Sequence, residues 1–140
     1  LAHDYLGEAA LMDLRDINRN TQDGLHLASL AGTWSALVAG FGGMRAGTGE
    51  HMRFAPRLPG ALTRLSFRLR HQGRRLCVTV TQEAATYELR SGEPITIAHH
   101  GDVFELGHEP ITLPIATITP GPRPSQPAHR APTQRSSRAV

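Results

Sequence analysis

The sequence predicts an α+β chain in which two helical segments precede a small C-terminal antiparallel β-sandwich and a disordered tail. Three observations carry that prediction. Apolar residues recur at helical spacing through the first 46 residues, strict alternation replaces that period from residue 52, and five of the ten prolines crowd beyond Ile118. The expected divisions are residues 1–46, 47–118 and 119–140.

Residues 1–16, LAHDYLGEAALMDLRD, read as the end of a helix, with Tyr5, Ala9 and Met12 or Asp13 at helical spacing and no cap before Leu1. The chain is therefore expected to begin inside an element. A polar link, INRNTQ, leads to a second helix, for which Asn20 or Thr21 is the expected N-cap and Asp23 favours the positive helix start. That helix is expected to reach about Gly40, where GFGGMRAGTG supplies glycines that end it. No strand precedes those glycines, so they do not make a dinucleotide fingerprint. Further on, Leu65, Phe67 and Leu69 alternate with Arg64, Ser66, Arg68 and Arg70, and Leu76, Val78 and Val80 with Cys77, Thr79 and Thr81. HQGRR is read as a hairpin loop, RSGEP as the turn before Ile95 and Ile97, and HHGD as the turn into Val103, Phe104 and Leu106. The tail from TPGPRP onward has almost no large apolar residue and cannot offset the entropy of ordering.

With 140 residues and 39% hydrophobic content, the chain has room for about one ordinary core. Its 15 basic residues are all arginines and, against 12 acidic ones, give a formal charge of +3, too mild and scattered to demand nucleic acid. Cys77 is the single cysteine, which excludes an internal disulfide and carries no zinc-ligand spacing. No basic segment followed by an apolar run marks a signal peptide. The most apolar stretch, Leu25 to Phe41, is interrupted by His26, Ser29, Thr33 and Ser35 and is shorter than the roughly 20 residues a membrane span needs. A cytoplasmic protein with no membrane partner is expected.

The second helix has an unusual surface. Gly24, Ala28, Gly32, Ala36 and Gly40 recur every fourth residue, so one face is nearly bare and suited to close approach by another helix. Leu27, Leu30, Ala31, Trp34, Leu37, Val38 and Phe41 fill further faces. Each glycine costs a helix about 0.5–1 kcal/mol relative to alanine, so tertiary packing must offset the penalty. Two helices and a small sheet cannot enclose such a helix, and the expectation is that its neighbours belong to a larger helical domain, or else to a second copy of the chain. The polar stripe of His26, Ser29 and Thr33 begins at the helix start, where N–H donors and the helix dipole suit an anion such as phosphate. Gly24 would let that anion approach the backbone closely. An equally simple alternative is that His26 and Ser29 only satisfy the helix start and each other.

The stretch LMDLRDINRNTQDGLHLASLAGTWSALVAGFGGMR resembles the end of the catalytic domain in glycoside hydrolase family 65. FAPRLPGALTRLSFRLRHQGRRLCVTVT and YELRSGEPITIAHHG resemble that family's C-terminal β-domain, so the likeness covers about residues 5–113. The family consists largely of inverting α-glucosyl phosphorylases acting on maltose, trehalose, kojibiose or nigerose, with some hydrolases. The resemblance implies that the chain supplies the last helices of an (α/α)6 barrel followed by the small C-terminal domain. It further implies that His26 of the Asp-Gly-x-His motif is a phosphate ligand, that Thr21 and Gly24 form the loop positioning it, and that Ser29 is a weaker contributor. Inorganic phosphate would be co-substrate, an α-linked glucose disaccharide the partner substrate, and no other cofactor or metal is expected. No acidic residue matches the family's general acid, so no catalytic residue is assigned and the chain alone is expected to be inactive. The motif is shared by phosphorylases and hydrolases, which leaves a trehalase-like hydrolase as an alternative.

Rival readings are weaker. A free-standing carbohydrate-binding or structural sandwich would want a platform of aromatics, yet only Phe54, Phe67, Tyr87 and Phe104 are aromatic between residues 52 and 117. Arg64, Arg68, Arg70, Arg74 and Arg75 lack interleaved aromatics for nucleic-acid stacking and read as a solvated edge that discourages strand pairing. His99, His100 and His108 have no carboxylate frame for a metal.

Overall fold

The computed structural model describes residues 2–16, 19, 21–46, 51–117 and 121–122. They fall into two compact units, one of residues within 2–34 together with 121–122 and the other of residues within 35–117. The tail expected to be disordered lies, apart from Gly121 and Pro122, outside the described residues, as does Asn20.

In the first unit the helical periodicity gives α1 (Ala2–Leu11) and α2 (Leu27–Ser35), joined by turns and a single 3-10 turn at Thr21–Asp23. Helix α2 thus starts six residues after the expected cap at Thr21. Gly24 explains the delay: its φ of +123° lies outside helical backbone and interrupts the chain between the 3-10 turn and α2. His26 instead precedes the helix, and its carbonyl accepts from the N–H groups of Ser29 and Leu30. Neither helix has a fully buried residue. Leu25, Leu27 and Trp34 are each at least half exposed (63%, 73% and 50%). Gly32 and Gly40 meet nothing within 4 Å, so the close approach that the small-residue face permits is not made among the described residues.

The second unit opens on a π-helical turn, Ala36–Phe41, at the residues where the sequence predicts the helix to end. Alternation then produces β1 (Met52–Phe54), β2 (Arg64–His71), β3 (Arg74–Thr81), β4 (Ala84–Ser91), β5 (Ile95–His99), β6 (Asp102–Leu106) and β7 (Ile111–Pro114). They form a three-stranded sheet ordered β1-β5-β6 and a four-stranded sheet ordered β2-β3-β4-β7. Two hairpins have two-residue loops with positive φ at both positions, Gln72–Gly73 and His100–Gly101, the type I′ geometry that matches strand twist. One pairing departs from the antiparallel expectation. β1 lies parallel to β5, with Met52 opposite Ile97 and Phe54 opposite His99. The intervening β2–β4 provide the long crossover that parallel neighbours require.

The inward residues of both sheets make the core, where Val78, Val80, Ala85, Tyr87, Ile97 and Leu106 lose all solvent contact. Burial of each valine, isoleucine or leucine side chain among them contributes about 1.5–3 kcal/mol. Tyr87 joins the layers: its ring lies 5.2 Å from Phe54 and 5.8 Å from Phe104. Its hydroxyl donates to His99 Nδ1 at 2.7 Å, and His99 Nε2 donates to the Pro114 carbonyl at 3.0 Å. Burial pushes the Tyr87 phenol well above its ordinary value, so it stays a proton donor. With both ring nitrogens engaged, His99 is a satisfied core histidine.

Gly43 fixes where the chain enters the sandwich. Its φ is +64°, and a Cβ there would sit 2.1 Å from the Ala55 carbonyl oxygen. Backbone cannot yield as a flexible side chain would. Gly43→Ala is therefore expected to lower unfolding free energy by about 2–4 kcal/mol. Gly73→Ala, whose new methyl meets open space, should cost about 1–2 kcal/mol from its backbone conformation alone. Urea unfolding followed by circular dichroism measures both, and equal costs would remove the clash as the cause.

Candidate functional site

The turn after α1 carries Asp13 toward the start of α2. One carboxylate oxygen, Oδ2, accepts the backbone N–H of His26 at 2.9 Å, and the other, Oδ1, is hydrogen-bonded to His26 Nδ1. Both oxygens thus hold one residue, fixing backbone and ring together. With a carboxylate as acceptor, Nδ1 is assigned a proton, and Nε2 is the ring atom on the side away from Asp13. The Asp13 side chain is 8% exposed and that of His26 is 29% exposed. The hydrogen bond from His26 holds the Asp13 carboxyl below its ordinary value, overcoming the opposing effect of desolvation.

The other sequence-predicted residues take distinct places around this pair. Thr21 donates its backbone N–H to a second carboxylate, Asp16 Oδ1, at 3.1 Å. Gly24 donates its N–H to the Thr21 carbonyl at 3.1 Å, and the space where a Cβ would stand is open. Ser29 faces α1, its hydroxyl donating to the Ala9 carbonyl at 2.9 Å. That proton ties two helices together. Among the described residues, the buried Thr33 hydroxyl oxygen has no hydrogen-bond partner. Asp13 and Asp16 were not singled out by sequence reasoning. A carboxylate thirteen positions before a histidine has no periodic signature, because an irregular link rather than a helix or strand brings the two together.

A model of the glycosyl hydrolase family 65 central catalytic domain matches residues 1–35, and a model of the C-terminal domain of the same family matches residues 44–106. The chain belongs to glycosyl hydrolase family 65. An uncharacterized glycosyl hydrolase of Mycobacterium leprae is 48% identical over 144 aligned residues, covering 100% of this chain and 18% of the relative. The α,α-trehalose phosphorylase of Thermoanaerobacter brockii is 51% identical across 69% of this chain and 12% of its own length. For the maltose phosphorylase of Bacillus subtilis the figures are 39%, 74% and 13%. The chain therefore spans less than a fifth of these family members. A solved structure of a kojibiose phosphorylase candidate from the human microbiome shares the fold with a TM-score of 0.71 at 24% identity, over 79% of this chain and 15% of that one.

In the family 65 segment, the depressed Asp13 carboxyl has a defined stability consequence. Stabilisation from a lowered carboxyl is present above its ordinary value of 3.8 and is lost as pH falls through the lower folded value. Asp13→Asn should lower the melting temperature at pH 7 and flatten the loss of stability that the parent chain shows on the acid side of pH 3.8. Thermal melts between pH 2 and 7 test this, and parallel acid limbs for parent and variant would contradict it.

Proposed function

We infer that this chain contributes the phosphate-facing helix start of an inverting α-glucosyl disaccharide phosphorylase, which splits maltose, trehalose or a related α-glucoside into β-glucose 1-phosphate and glucose. The observation that carries the reading is the imidazole of His26 held by Asp13 at the beginning of α2. Three features support it. The trehalose and maltose phosphorylases above are 51% and 39% identical over 69% and 74% of the chain. Gly24 leaves the space beside the backbone open. The helix start favours negative charge.

In this reading, a phosphate oxygen attacks the anomeric carbon from the face opposite the glycosidic bond. The carbon–oxygen bond to the departing glucose breaks, and its oxygen takes a proton from a general acid for which no residue of this chain is assigned. With both ring nitrogens protonated, as an anionic ligand favours, His26 donates from Nδ1 to Asp13 and from Nε2 to a phosphate oxygen, while Asp13 keeps the ring from rotating. Thr21 and Gly24 shape the loop, and Ser29 acts indirectly by fixing α2 against α1 through Ala9. Holding the nucleophile in line converts part of the entropic barrier into binding already made. Water in place of phosphate would make the same geometry hydrolytic, a second reading favoured by the name of the 48%-identical mycobacterial relative.

In a full-length family 65 enzyme carrying this segment, His26→Ala should raise the KM for phosphate at least about tenfold, the loss of one charge-assisted hydrogen bond. The KM for disaccharide at saturating phosphate should stay within about twofold. Steady-state phosphorolysis kinetics provide both values, and an unchanged phosphate KM would take His26 out of the role.

A further inference from the structure

The four-stranded sheet turns Leu76, Val78 and Val80 inward, which leaves the alternate residues of β2 and β3 on its outer face. At the hairpin end of that face, Arg70 pairs directly across from Arg75, with Arg68 two residues along the same strand. Like charges opposite each other destabilise a sheet. A β-bulge adds a fourth arginine: Leu76 pairs with Leu89 but Arg75 pairs with Ser91, so Arg90 is the extra residue. Bulges re-aim side chains, and this one brings Arg90 to a concavity of about 550 Å³ that Arg68, Arg70 and Arg75 also line.

Protection of an exposed edge does not account for these residues. β2 is an edge strand, but β3 and β4, which carry Arg75 and Arg90, are interior to the sheet. Nor is the charge neutralised locally. Glu88 lies 2.5 Å from the Arg90 guanidinium, and among the described residues the guanidiniums of Arg68, Arg70 and Arg75 have no ion pair or hydrogen bond. Arg74 differs, since its guanidinium donates to the carbonyls of Glu93, Pro94 and Gln72 and pins the next turn. Four arginines less one glutamate leave a local charge of +3 around the concavity.

We propose that this face of the β-domain is a binding site for a small, multiply charged phosphoryl compound, separate from the helix start that carries His26 and independent of the function inferred for it. Planar guanidinium forks suit tetrahedral oxyanions, and several around one concavity suit a ligand bearing more than one phosphoryl charge. The volume is that of a metabolite site. No aromatic side chain lines it for a base to stack on, which favours a small anion over a nucleic-acid strand. A bound anion would offset the repulsion between Arg70 and Arg75.

Isothermal titration calorimetry of the full chain with pyrophosphate at low ionic strength tests the site. The expected result is saturable one-to-one binding that Arg70→Ala/Arg75→Ala weakens at least tenfold, while His26→Ala and Arg64→Ala each leave it within twofold. Without ligand the double variant should melt at the same temperature as the parent or higher, and pyrophosphate should raise the melting temperature of the parent alone. Arg68→Gln, a single exposed change, should weaken binding at least threefold and provides the same test if the double variant does not fold. Unaltered affinity in the arginine variants, loss of binding in His26→Ala, absence of saturable binding, or tenfold tighter binding of a single-stranded oligonucleotide would each overturn the proposal.

Discussion

A carboxylate has two oxygens, and Asp13 commits both to His26. One holds the backbone N–H and the other the ring, so the position of α2 and the rotamer of its leading histidine are set by one residue of the preceding turn. Every other feature of the helix start depends on that anchorage. Gly24 can leave helical backbone, and Thr21 can bend back to Asp16, because the chain is caught again at His26. A histidine tied only through its ring would lose its place whenever the loop shifted. Tied through the main chain as well, it moves only if α2 moves.

The two units show opposite relations to water. In the β-domain the inward faces of two sheets close over Tyr87, whose hydroxyl and ring are both satisfied by neighbours on either side. In the helical unit, Leu25, Leu27, Leu30 and Trp34 remain on the surface. Such a cluster of large apolar groups is uncommon on a finished soluble surface. It accords with the match of residues 1–35 to a central catalytic domain in relatives of which this chain spans less than a fifth.

Much of the β-domain was legible because alternation and turn chemistry are local signals. Leu65, Phe67 and Leu69 had to share a face, and Gln72–Gly73 and His100–Gly101 offered the glycine that a tight hairpin needs. The parallel partnership of β1 with β5 was not legible, because nothing in three residues says which strand they will meet. At the helix start, His26, Ser29 and Thr33 were visible as a stripe, but the start itself was displaced by a glycine whose conformation the sequence leaves open. The π-helical turn at Ala36–Phe41 escaped notice for a related reason, since its residues fit an α-helical period equally well. Asp13 was visible only as a position at helical spacing, its importance being a matter of where an irregular link delivers it.

Met52 and its partner Ile97 are 45 positions apart in the chain, whereas β2–β3, β3–β4 and β5–β6 are joined by short turns. The local hairpins close over short loops, while the edge formed by β1 has to wait for a segment several strands later to arrive. The sandwich therefore cannot complete its smaller sheet until most of the domain sequence has been made, and Phe54, one of the aromatic neighbours of Tyr87, lies on the strand that waits. Pairing of β1 with β5 and the seating of Phe54 against Tyr87 are coupled.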